Sequence, residues 1–146
     1  MNAPFEWIRN SRVAVPVIEI IHLLAVALAI GTIMVIDLSV LGLAVRREAV
    51  PRIARELTPW TWTGFGVVFV TGILLFSAEA AKMSSKPVFW AKLVLLAGAF
   101  AFHLTAHRDL VLPASPLESG RARWTAAASL VLWFAVAFGG KAIGLL

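Results

Sequence analysis

Between Val17 and Ala44 the chain reads VIEIIHLLAVALAIGTIMVIDLSVLGLA, an apolar run interrupted by three ionisable side chains, Glu19, His22 and Asp37. As a helix this run is about 42 Å long at about 1.5 Å per residue, whereas a bilayer's hydrocarbon core is about 30 Å thick. It predicts a transmembrane helix with length to spare. An ionisable group inside a span is costly unless a partner compensates, which makes all three residues functional candidates. At about 100° per residue Glu19 and Asp37 return to one face, and His22 lies about 60° to the side. One stripe of this helix is therefore expected to face protein and not lipid.

The composition agrees. Of the 146 residues, 60% are hydrophobic and 14% charged, where a soluble domain carries about 25% charged residues. No cysteine is present, which removes disulfides, thiolate metal sites and iron–sulfur clusters. The net charge of +5 needs no nucleic acid to explain it, because basic residues of membrane proteins gather in cytoplasmic loops. The opening MNAPFEWIRNSRVAVP lacks an apolar run followed by a small-residue cleavage site. Phe5, Trp7 and Ile8 beside Arg9 and Arg12 predict instead a short interfacial helix over about residues 4–12.

Three further spans follow the first, at about 60–78, 87–107 and 123–143. Between the first two, RREAVPRIARELTP places Ile53 and Leu57 on one side of a short amphipathic surface helix over about 51–57, starting near Pro51. The turn-rich RDLVLPASPLESGR separates the last two spans. The fold expected is all-α: one integral membrane domain, residues 1–146, built as a four-helix up-down-up-down bundle. Arg46, Arg47, Arg52, Arg55, Arg108, Arg121 and Arg123 fall on one side of it. Arg9, Arg12, Lys82, Lys86 and Lys141 fall on the other. That imbalance puts both termini outside, on the periplasmic side of a bacterial inner membrane.

This topology sorts the polar residues into an outer cluster, Glu19, His22 and Lys92, and an inner cluster, Asp37, His103 and His107. His22 and His103 come out about 20 Å apart along the membrane normal at about 1.5 Å per residue, which argues against their serving as opposite axial ligands of one haem. Structural roles compete with functional ones. Glu19 and Lys92 could form an ion pair that only locks helices together. Asp37 could cap a polar face near Ser39 and Arg46, His103 could bond a neighbouring carbonyl, and His107 beside Arg108 could be a solvated helix end. His22 has the strongest functional case, since Glu19 one turn away can orient its ring or share a proton. The tryptophans read mostly as interfacial anchors and the glycines mostly as helix-packing positions.

The blocks IExxHxLxxALxxGTIxxxDLxxLGL at 18–43, RRE, PWT at 59–61, GILLF at 72–76, Lys92-Leu93 and SLVLW at 129–133 resemble, in that order, a family of small bacterial four-span inner-membrane proteins with no assigned activity. A looser resemblance runs to the copper-resistance-D-like group, which includes the four-helix membrane protoporphyrinogen oxidase. Those proteins place a histidine early in the first span and a W-x-x-K-L-like element at the start of the third, matched here by His22 and by Phe89-Trp90-Ala91-Lys92-Leu93. The resemblance implies haem b as cofactor, His22 as its ligand or redox-site residue, and Lys92 as its partner. Glu19, Asp37 and the PWT block have no counterpart in the oxidase. Copper(I) transport is disfavoured, with Met34 the only methionine within a span.

The leading expectation is a haem-b-binding, redox-active membrane protein passing electrons to or from quinone or a partner subunit. His22 would be the axial ligand, with His103 or His107 at a second, inner site. The alternatives are a proton- or metal-coupled transport module, relaying through Glu19–His22–Lys92 and Asp37–His103, and a non-catalytic accessory subunit. A bundle of four spans would need a homo-oligomer or a larger complex to form a pathway. No Ser/His/Asp set or H-E-x-x-H motif points to a hydrolase.

Overall fold

The computed structural model describes residues 6–44, 49–111 and 120–145, except the side chains of 106–111, 120–122 and 140–145. The described residues are helical throughout, without strands: α1 Glu6–Asn10, α2 Ala14–Val40, α3 Val50–Ser84, α4 Pro87–Val111 and α5 Gly120–Leu145. Among them α2, α3 and Pro87–Thr105 of α4 are long and apolar enough to cross a membrane, and α5 contributes a shorter apolar stretch, Arg123–Gly139.

Local chemistry sets the helix ends. The Ser11 hydroxyl accepts the Ala14 N–H at 3.1 Å, satisfying one of the orphan donors at the start of α2. The first span stops at Val40, short of the apolar run's end at Ala44. There the Gly42 N–H bonds the Ser39 carbonyl and the Leu43 N–H bonds the Leu38 carbonyl. Gly42 has φ 79°, and the pair of bonds is a Schellman stop that requires this left-handed position. The amphipathic segment at 51–57 is not a separate surface helix. It is the first two turns of α3, which runs without a break through Pro59. Both Pro59 and Arg55 are exposed, so the Arg55 carbonyl that loses its helical partner stays accessible to water. The bend in α3 comes later, at Glu79 (φ −126°, ψ 25°). The short helix near the N-terminus is present as α1, with Ile8 buried and Trp7 exposed; Phe5 lies outside the described residues.

The helices carry large apolar side chains outward, and small and polar residues stand among the apolar ones that face inward. On α2 the buried positions include Ala25, Ala29, Thr32 and Asp37, while Ile20, Leu23, Leu24 and Val35 are exposed. A soluble helix shows the reverse. Large exposed apolar side chains suit lipid tails, and small inward ones let backbones approach. On α3, Gly64 is that approach: a Cβ there would stand 3.0 Å from the Ala29 Cβ and 3.1 Å from the Ala25 carbonyl oxygen. The seam keeps one register. Thr32 meets Thr61, Ala29 meets Gly64 and His22 meets Thr71, so each step back along α2 is matched by an equal step forward along α3. Two apolar clusters complete the interior. One joins Ile36, Val40, Val50, Ala54 and Ala126. The other joins Ile33, Ala99, Trp133 and Val136.

Candidate functional site

The α2–α3 register places His22 beside Thr71, with Nδ1 and Oγ1 2.7 Å apart. Thr71 has one hydroxyl hydrogen, and the Val67 carbonyl takes it at 2.6 Å. With that hydrogen directed at Val67, the threonine oxygen accepts from the His22 tautomer that carries its hydrogen on Nδ1. The Val68 carbonyl is a second acceptor for the ring. It lies 3.3 Å from the same threonine oxygen, so both acceptors serve the same ring edge. A neutral imidazole with its hydrogen on Nδ1 keeps its lone pair on Nε2. Gly72 leaves the ring room, since a Cβ there would come no nearer than 3.6 Å to Cε1.

Lys92 of α4 is half-buried and its charge acts on His22. One turn before it, Phe89 stacks on Phe76 of α3, centroids 5.5 Å apart and rings 7° from parallel. The outer cluster is thus His22 and Lys92 with an aromatic pair at its side. Glu19 is not part of it. It is exposed and forms no salt bridge with Lys92, so the expected Glu19–Lys92 pair is replaced by a lysine without a carboxylate partner among the described residues. Thr71, not Glu19, orients the histidine. Glu19 and Asp37 do share a face of α2, but only Asp37 is covered. The Asp37–Ser129 and Ile33–Trp133 contacts carry α5 along that face. The same register puts Glu19 beyond Gly139, the last residue of α5 whose side chain is described.

The inner cluster divides. Asp37 is 2% exposed and receives a hydrogen bond from the Ser129 hydroxyl. His103 instead lies in an aromatic box, its ring centroid 5.6 Å from Phe65, 6.1 Å from Trp62 and 6.2 Å from Trp133. Trp133, one turn along α5 from Ser129, meets the His103 ring. Trp133 is the exception to the tryptophans that lie exposed: it is the largest fully buried side chain among the described residues. His107's side chain lies outside them. On the shared neighbour α3, His22 sits at Thr71 and His103 at Trp62 and Phe65. Their axial separation is therefore about 9–14 Å at about 1.5 Å per residue, well under the expected 20 Å.

Three residues that matter here, Thr71, Ser129 and Trp133, read in sequence only as packing or anchor positions. Among the described residues no group of three or more His, Cys, Asp or Glu is placed to hold a metal ion.

No curated protein and no solved structure matches the chain. A family model matches residues 11–146, which takes in α2 to α5 and every residue of the His22 and Asp37 centres. The chain belongs to that family, a family of unknown function (DUF6644).

Proposed function

We propose that this is a multi-pass protein of a bacterial inner membrane that binds haem b at His22 and passes electrons to or from a quinone or a partner subunit. The observation that carries the reading is the 2.7 Å hydrogen bond between His22 Nδ1 and Thr71 Oγ1, a threonine whose hydroxyl also lies 2.6 Å from the Val67 carbonyl. Axial histidines characteristically donate their second ring N–H to a neighbouring acceptor, which fixes the ring and raises its basicity. When bound, haem b supplies a one-electron iron couple. The chain's own groups do the rest. His22 Nε2 would ligate the iron, Thr71 would hold the ring, and the Lys92 ammonium, lacking a carboxylate partner among the described residues, would compensate the negative charge of a propionate. Phe76 and Phe89 offer flat apolar surface next to it. In the topology we propose, the spans alternate in direction and both termini face the periplasm. The opposed registers of α2 against α3 and of α3 against α4 support the alternation, and the arginine-rich segments at 46–55 and 108–123 support the orientation.

The test is an absorption spectrum of the detergent-purified protein, oxidised and then reduced with dithionite. A Soret band that sharpens on reduction, at about one haem per chain, is the expected result. His22→Ala should abolish it, while Thr71→Val, which keeps shape and removes the acceptor, should weaken haem binding by about 10–100-fold. A colourless preparation from haem-replete cells, or a spectrum unchanged in His22→Ala, would sink the assignment.

A further inference from the structure

The inner half of the bundle holds a polar centre that haem binding does not use. Asp37 is 2% exposed and Trp133 1%. Ser129 bonds the Asp37 carboxyl, yet Asp37 Oδ2 and Trp133 Nε1 are both buried with no hydrogen-bond partner among the described residues. Asp37 and Ile33 are adjacent turns of α2, Ser129 and Trp133 are adjacent turns of α5, and Ile33 packs on Trp133. An acceptor and a donor without partners therefore fall on neighbouring turns of one interface.

The charges around this centre are arranged away from it. On α3, which packs against this end of α2, Arg52 and Glu56 pair with each other at 2.9 Å and are exposed, and Arg55 is exposed as well. Arg123 of α5 is exposed. His103 of α4 faces the far side, with its ring against Trp133. No cation among the described residues pairs with Asp37. One hydroxyl donor does not replace the hydration of a buried carboxylate, and such groups are retained where a proton, an ion or a partner neutralises them. A water molecule is complementary to both orphan atoms, accepting from the indole N–H and exchanging hydrogen with the carboxyl.

We propose that Asp37 is a proton-binding site in the membrane interior, taking up and releasing one proton through a water that the Trp133 N–H also holds. The step is a proton transfer alone: the carboxylic acid and water give the carboxylate and hydronium, and no electron moves. It is independent of the group bound at His22.

Infrared spectra of the purified full-length protein, taken across pH in H2O and in D2O, test it. The expected result is a protonated-carboxyl C=O band that shifts in D2O and disappears as pH rises with the slope of one proton. The band should be absent in Asp37→Asn and retained in His22→Ala, which separates this site from the haem assignment. Ser129→Ala keeps the carboxyl and should move the band to higher frequency, so the assignment stands or falls even where Asp37→Asn does not fold. Trp133→Phe should slow its exchange with D2O. No carboxyl band at any pH, or one that neither titrates nor exchanges, or one unmoved in Ser129→Ala, overturns the proposal. A midpoint that follows sodium concentration also overturns it, in favour of a sodium site.

Discussion

Gly64→Leu should abolish the folded protein under conditions where the wild type is intact. The α2 and α3 backbones approach at this one point so closely that even a single methyl group would meet the Ala29 Cβ and backbone nitrogen at 3.0 Å. None of these atoms is the end of a flexible side chain that could swing aside, so the helices themselves must separate. Gly64→Ala, the mildest intrusion, should cost about 1–3 kcal/mol, as overpacking typically does. Leucine adds three more heavy atoms along the same direction. Separating the helices there also strains the Thr32–Thr61 and His22–Thr71 bonds that lie on either side, so the loss reaches the His22 site. Gly66, two residues on, has nothing within 4 Å of its would-be Cβ, and Gly66→Ala should stay within about 1 kcal/mol of wild type. Thermal unfolding in mild detergent, followed by circular dichroism for the three variants, reads the comparison. Equal stabilities for Gly64→Ala and Gly66→Ala would mean that the α2–α3 seam is not the close contact that orders the bundle.

What could be read from the residues depended on how far apart the interacting groups lie in the chain. Helix content and the positions of the spans follow from apolar length, a local property, and α2 to α5 fall where the four apolar stretches are. The protein-facing stripe of α2 was legible only in part: of the Glu19, His22 and Asp37 that mark it in sequence, Asp37 is buried, His22 half-buried and Glu19 exposed. The helix ends were harder. Gly42 stops α2 inside an apolar run, and only its backbone conformation shows it; α3 continues through a proline that usually marks a boundary. The site itself was half legible. His22 and Lys92 stand out as polar residues in apolar helices, but Thr71 does not. A threonine in a span ordinarily bonds its own preceding turn, as Thr71 does with Val67. Its second role toward His22 depends on the packing register of residues 49 positions apart. Glu19 shows the same limit, since helical periodicity places it on the Asp37 face and yet it is exposed. Trp133 carried an unused signal: it lies at the middle of its span, where an interfacial anchor has no interface to reach.

Trp133→Ala should be the costliest single truncation in the described core, by about 3–5 kcal/mol. The indole is 1% exposed. It packs in one cluster with Ile33 of α2, Ala99 of α4 and Val136 of its own helix, and its ring contacts Phe65 and His103. Its removal opens a cavity at the point where all four long helices meet, with no neighbour long enough to refill it. Trp133→Phe separates the ring from its N–H. Because Nε1 has no protein acceptor among the described residues, phenylalanine removes a buried donor and leaves a smaller cavity than alanine does, and the cost should be about 1–2 kcal/mol. A large loss in Trp133→Ala with a small one in Trp133→Phe, measured by thermal unfolding in the same detergent, assigns the residue's contribution to packing. Equal losses would show that the N–H, and not the ring, holds this layer together. The comparison with Trp62→Ala sharpens the result. Trp62 also touches His103 but is 39% exposed, so its truncation leaves less of a cavity and should cost clearly less than that of Trp133. If the two cost the same, then the helices are held by the aromatic box around His103, and burial at the centre of the bundle is not what distinguishes Trp133.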